Sequence, residues 1–157
     1  MIRGYLQEGH SLPKTTQAAE YQGAISFGIP GIYSNLYKID IKAMYPSILM
    51  QYKYYNKEKD PKGNFLKLVE YFASSREKYK QLYKETNDIY YDGLQNAMKI
   101  AANSLYGFLG TPGLMFNDPP GAAFVTETGR EILSYTIEWA TSKNTKYWTD
   151  LFEEKTK

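Results

Sequence analysis

Leu94-Gln-Asn-Ala-Met-Lys99-Ile-Ala-Ala-Asn103-Ser-Leu-Tyr106-Gly107-Phe-Leu109 is the stretch that decides the fold. Leu94, Ala97, Met98, Ala101 and Leu105 recur at the three-and-four spacing of a helix that buries one side. On another face Lys99 and Asn103 stand one turn apart and Tyr106 continues the line. A cation, an amide and a phenol thus share one surface among small alanines, and a lysine in so tight a context needs a chemical reason.

The reading extends outward in both directions. Upstream, Phe65, Leu68, Val69, Phe72, Tyr79, Leu82 and Tyr83 give a second helical period over 65–85, and Asn87-Asp88 and Asp92-Gly93 break it. Two helices with a short connector form an antiparallel hairpin. Arg76 and Lys80 share a face of the first helix. Two readings fit them: solvated charges with Glu77 as partner, or cations converging with Lys99 and Asn103 on a polyphosphate. Downstream, 110–120 is a proline- and glycine-rich loop, 121–142 is a third helix, and the charged tail 143–157 follows.

The N-terminal third has a different texture. Residues 1–20 are polar, aperiodic and read as an extended arm. Between Tyr21 and Asp40, two short apolar runs flank Pro30-Gly31, the pattern of a β-hairpin whose second strand, Asn35–Ile39, ends at Asp40. Pro46 suits the first turn of a helix running through Ile48, Leu49 and Tyr52. A strand-end carboxylate such as Asp40 can bind Mg²⁺ with the carbonyl of Ile41 as a second oxygen, or it can cap a turn. Tyr45 would form the floor of a nucleotide pocket that excludes a ribose 2′-OH, or simply pack against the helical hairpin.

Composition bounds the rest. At 157 residues and 43% hydrophobic, the chain is long enough for one compact domain with a protruding subdomain. The net charge of +2 is too even to argue for nucleic acid from bulk charge, so any footprint is local. With no cysteine there is neither disulfide nor thiolate site, and His10, the single histidine, leaves no poly-histidine metal site. The apolar runs all fall short of the ~18 residues of a membrane helix, and Met1-Ile-Arg-Gly-Tyr lacks a signal peptide's apolar core. A soluble, intracellular protein without membrane contact is the expectation. Most of the 16 tyrosines are read as bridges between core and surface rather than as base-stacking platforms.

Five segments together resemble the palm and fingers of the family B DNA polymerases. The family's DxxSLYPSI appears as Asp40-Ile-Lys-Ala-Met-Tyr-Pro-Ser-Ile48, and KxxxNSxYG as Lys99 to Gly107. The RxxxK pair appears as Arg76 and Lys80, YxGG as Tyr21-Gln-Gly23-Ala24, and TxxGR as Thr126-Glu-Thr-Gly129-Arg130. All five occur in the family's order and cover roughly residues 20 to 142. The resemblance implies an α+β fold, a partial palm with a small antiparallel sheet on helices and a two-helix fingers hairpin. It divides the chain into an arm (1–20), palm (21–62 and 110–157) and fingers (63–109). It makes Asp40 and Lys99 catalytic, with Asp40 and the Ile41 carbonyl as Mg²⁺ ligands. Arg76, Lys80, Lys99, Asn103, Tyr45, Tyr106 and Ile41 would hold the incoming dNTP, with Tyr45 as sugar gate. Tyr21, Gly23, Gly107, Thr126 and Arg130 would face the primer-template DNA. The implied reaction is attack of a primer 3′-OH on the α-phosphate by two-metal catalysis.

The chain departs from the family pattern in several places. Ala43 and Met44 replace a serine and a leucine, and Gly23-Ala24 replaces a double glycine. The motif C pattern YxDTDS is absent after Arg130. Tyr147-Trp-Thr-Asp150 has one aspartate where two are needed, and Asp150 is read as a surface charge. One carboxylate anchors two Mg²⁺ ions poorly, because hard dications require several oxygens. The isolated chain is therefore expected to be inactive, completed by a partner polypeptide carrying motif C and a thumb, or self-associated through exposed apolar surface. The alternatives are a non-catalytic nucleotide- and DNA-binding remnant, and a metal-dependent nuclease using Asp40 with Glu127 or Asp150.

Overall fold

Six helices form in a computed structural model that describes residues 1–156: α1 (Ile2–Gln7), α2 (Met44–Gln51), α3 (Asn64–Thr86), α4 (Ile89–Gly110), α5 (Pro119–Thr141) and α6 (Thr145–Thr156). Local chemistry sets their ends. Asp60 is buried and its Oδ2 accepts the Phe65 amide at 2.7 Å, satisfying one of the free N–H groups at the start of α3. Gly63 turns the chain into that helix at φ 63°, where glycine avoids the cost of a Cβ. Asn87 closes α3 in the left-handed region, and Asp88 caps α4 by accepting the Tyr90 amide at 2.9 Å. These two residues are the whole connector. Pro119 opens α5 at a position that lacks an amide partner anyway.

α3 and α4 pack along their length as an antiparallel pair, with Tyr79 stacked on Tyr91 at 6.4 Å. The core lies at the base of this pair. Leu49 of α2, Val69 of α3 and Ala122 and Val125 of α5 are wholly buried, with Ile48, Phe65 and Leu109 beside them. The buried residues of α3 fall in its first two turns, and those of α4 in its second half. Beyond Arg76 the two helices therefore pack mainly on each other, and the hairpin projects from its anchored base. α2 runs against α3, α4 and α5, which brings the segment ahead of it to the mouth between hairpin and core.

The expected antiparallel sheet does not form, and the α+β expectation gives way to a helical fold: there is no strand among the described residues. Pro30-Gly31 makes a local bend instead of a hairpin turn. The Tyr33 hydroxyl donates to the Ile29 carbonyl at 3.2 Å, and its ring packs under Gly31, so a cross-strand partner never reaches this point. Leu36, Tyr37 and Ile39 are exposed. Alternating apolar residues describe a strand only when a neighbouring segment completes the ladder, and none of the described segments does so. Residues 2–7, at the head of the expected arm, are helical, and Tyr5 inserts there to bond buried Asp60. Residues 146–150 of the tail lie on α6.

Candidate functional site

The site is built from three elements. The turn Asp40–Ala43 leads into α2 with Ala43 in the left-handed region (φ 47°), an unusual conformation for a residue with a Cβ and one that clusters at functional sites. α3 contributes Arg76 and α4 contributes Lys99, Asn103 and Tyr106. Between them lies an open cleft of about 520 Å³, lined by Asp40, Ile41, Lys42, Tyr45, Arg76, Lys99, Asn103 and Tyr106. Residues from positions 40 to 106 thus converge because α2 docks across the base of an antiparallel pair. Lys80, one turn past Arg76, does not line the cleft.

The cleft is cationic. Arg76, Lys99 and Lys42 face one carboxylate, Asp40, which is exposed and enters no ion pair among the described residues. The Nε of Arg76 is buried without a hydrogen-bond partner, leaving a donor uncommitted at the cleft wall. Lys42 is held by Glu77 at 2.5 Å. That hydrogen bond draws the Glu77 carboxyl below its usual range, with Lys42, Lys80 and Arg76 adding attraction.

Aromatic rings form the floor. Tyr45 and Tyr106 lie 4.3 Å apart at 43°. Burial pushes the Tyr106 phenol up, and the neighbouring phenols of Tyr21 and Tyr45 add to this. The Tyr21 hydroxyl sits where a Cβ on Gly110 would be, so a larger residue there would displace the Tyr21 ring. Gly129 of α5 is approached less closely: a Cβ there would lie 3.1 Å from Met44 Sδ and 3.3 Å from the Tyr45 ring.

The segment 21–24 is fastened to α5. Arg130 Nη1 donates to the carbonyls of Gln22 (2.6 Å) and Gly23 (2.7 Å), and the Thr126 hydroxyl donates to that of Gln22 (3.0 Å). Thr126 and Arg130 therefore engage the backbone next to Gly23, while Gly107 is exposed on α4. Sequence reasoning missed Lys42, and it gave Glu77 only as a partner of Arg76 and Lys80. Their only local signal was position, Lys42 two residues past Asp40 and Glu77 next to Arg76. Glu127 and Asp150 lie outside the cleft, and Asp150 pairs with Lys146 on the exposed side of α6 at 4.0 Å, so neither can join Asp40.

The described residues contain no group of three or more acidic, histidine or cysteine side chains arranged for a metal ion. Asp40 and Ile41 both line the cleft, and Asp40 is its one carboxylate. That donor set fits a hard dication whose remaining oxygens come from water or a bound phosphate, and it does not fit two dications held by protein alone.

The sequence profile of DNA polymerase family B matches residues 50–156, a span that includes Arg76, Lys80, Lys99, Asn103, Tyr106, Thr126 and Arg130. The chain belongs to DNA polymerase family B. It is 30% identical to the catalytic chain of DNA polymerase alpha from Saccharomyces cerevisiae over 161 residues, covering 88% of this chain and 11% of that protein. It is 28% identical to DNA polymerase 2 of Aeropyrum pernix over 172 residues, 89% of this chain and 21% of that protein. Over 83 residues it is 41% identical to the DNA polymerase alpha catalytic subunit of Mus musculus, 50% of this chain and 5% of that protein. This family B chain thus spans between a twentieth and about a fifth of these relatives. The described helices include none long and apolar enough to cross a membrane.

Proposed function

We propose that this chain is the palm-side and fingers portion of a template-directed, DNA-dependent DNA polymerase, and that the cleft binds an incoming dNTP with Mg²⁺ against primer-template DNA. Residues 63–109 act as fingers, 21–62 and 110–157 as part of the palm, and 1–20 as an arm. The observation that carries the reading is the convergence of Arg76, Lys99 and Asn103 from two helices onto the cleft that holds Asp40 and Ile41.

Arg76 and Lys99 hold the triphosphate oxygens, the guanidinium by paired N–H groups and the ammonium as a point charge. Asn103 donates a further hydrogen bond. Lys80 joins as the hairpin closes, which also excludes water. Tyr45, braced by Tyr106, sets the space beneath the sugar and rejects a 2′-OH. Asp40 and the Ile41 carbonyl would hold Mg²⁺, which when bound would neutralise triphosphate charge and favour ionisation of the primer hydroxyl. The primer 3′-hydroxyl loses its proton to water, its oxygen bonds to the α-phosphorus, the bond from that phosphorus to the α,β-bridging oxygen breaks, and pyrophosphate leaves. Lys99 stabilises the negative charge that grows on that leaving group. Tyr21, Gly23, Gly107, Thr126 and Arg130 line the DNA side, Thr126 and Arg130 by holding the 22–23 backbone in place.

One cleft carboxylate predicts no extension by these 157 residues alone. A segment bearing motif C and a thumb, which these 157 residues do not carry, completes the site by docking on the exposed apolar residues near 32–39. The single carboxylate also favours a second reading, a module that binds nucleotide and DNA without catalysis.

Two measurements test the proposal. Titration of dNTP with Mg²⁺, followed by intrinsic fluorescence, should give affinities weakened about tenfold or more by Arg76→Ala and by Lys99→Ala, the loss expected for a hydrogen bond to a charged group. Affinities in both variants unchanged from the unaltered chain would remove the nucleotide-binding reading. Primer extension should be absent with the chain alone and appear when a motif C and thumb polypeptide is added. Binding without restored extension would leave the second reading standing.

A further inference from the structure

Three cations and one carboxylate share the cleft, yet Asp40 is paired with none of them. Of these three, Lys42 is the nearest to it in the chain, two residues away; Lys38, equally near, does not line the cleft. Left to itself, an ammonium on a four-carbon stem pairs with the carboxylate beside it and competes with a divalent cation for the same oxygens. The ammonium of Lys42 is instead held 2.5 Å from Glu77 Oε1, on α3. Below this ion pair lies a second pocket, of about 170 Å³, and Glu77 lines that pocket but not the cleft. The pair therefore marks the boundary between the two spaces, with Glu77 on the far side.

Stability does not explain the pair. The two side chains are 57% and 52% exposed, and an ion pair in that setting adds little to folding. Its consequence is electrostatic and local: it removes the competitor of a cation at Asp40. We propose that Glu77 is a positioning residue that sequesters Lys42 and so keeps the Asp40 carboxylate free for a divalent cation. This rests on the preceding reading of Asp40 as a cation ligand and adds the means by which that ligand stays available. The chemistry requires a carboxylate at 77 only while a lysine stands at 42.

Mn²⁺ alone is the probe, in the full 157-residue chain, read by paramagnetic broadening of the Asp40 and Ile41 amide resonances. The unaltered chain should lose these signals first as Mn²⁺ is added. Glu77→Gln should need about two- to fivefold more Mn²⁺ for the same loss, the range an exposed ion pair commands. Lys42→Met should need no more than the unaltered chain. In the Lys42→Met background, Glu77→Gln should have no further effect. A bridge that merely tied α3 to the turn would give the same weakening in both single variants, and a long-range effect of the Glu77 charge would persist in the double variant. Either result overturns the proposal. If broadening at Asp40 occurs but is indifferent to Glu77→Gln, sequestration alone is wrong. If Asp40 and Ile41 are not broadened in the unaltered chain, the cation site itself is wrong and both readings fall together.

Discussion

At the scale of single residues, the site depends on contacts that hold its rings and its backbone. Arg130 illustrates this. One of its two terminal nitrogens, Nη1, reaches two carbonyls of the segment 22–23, and that segment carries Tyr21 to Tyr106. Arg130→Met keeps an unbranched apolar stem and removes both hydrogen bonds. The loss should lower stability by about 1–3 kcal/mol, since the donor is charged. Limited proteolysis should then cut the segment 18–28 while the α3–α4 pair stays intact, and an unchanged cleavage pattern would show that the segment is held by other means. Helical spacing made Lys99 and Asn103 legible as one face and Arg76 and Lys80 as a face of another helix; Arg76, Lys99 and Asn103 line the cleft with Asp40, and Lys80 does not. The Lys42–Glu77 pair was not legible. It joins two elements whose distance in sequence says nothing about their approach, and neither residue departs from ordinary surface composition.

At the scale of elements, the helices follow their local signals closely and the strands do not. Periodicity over 65–85 and 94–109 became α3 and α4, extended by a few residues where Asp60, Asn87 and Asp88 satisfy the ends. A helix closes its hydrogen bonds within one segment, so its sequence is nearly sufficient. Residues 24–39 carry the apolar alternation of a hairpin, and the structure leaves them irregular because a ladder requires a second segment at the right distance. Packing between elements has its own requirement at Gly129. α2 approaches α5 so closely there that a larger residue must displace Met44 and Tyr45. Gly129→Val should destabilise by about 1–3 kcal/mol through overpacking, read as a lower unfolding midpoint in urea. The same substitution should weaken dNTP binding, because the displaced ring is the floor of the cleft. A variant as stable as the original would mean that α2 and α5 separate freely.

At the scale of the whole molecule, three phenols report on folding. Burial raises Tyr5, Tyr54 and Tyr106 above their usual value, and the carboxylates of Asp60 and Asp118 push Tyr5 and Tyr54 further. Each proton is then held more tightly in the folded chain than in the unfolded one, where a phenol ionises near pH 10. The stability from these groups is complete below about pH 10 and falls as pH rises beyond it. Urea midpoints should therefore drop steeply above about pH 10, and phenolate absorbance should show three of the 16 tyrosines ionising together with unfolding. A midpoint that stays level to about pH 11.5 would contradict this. The sequence by itself determined the α3–α4 pair, α5 and the start of α2, the shared face of Lys99 and Asn103, and the family to which the chain belongs, since each is written in short-range spacing; it did not show α1 or α6. Only the tertiary structure decided that the 24–39 segment stays unpaired, that Lys80 lies off the cleft and that Glu77 takes Lys42. Those outcomes depend on which distant surfaces meet, and a linear spacing carries no record of that.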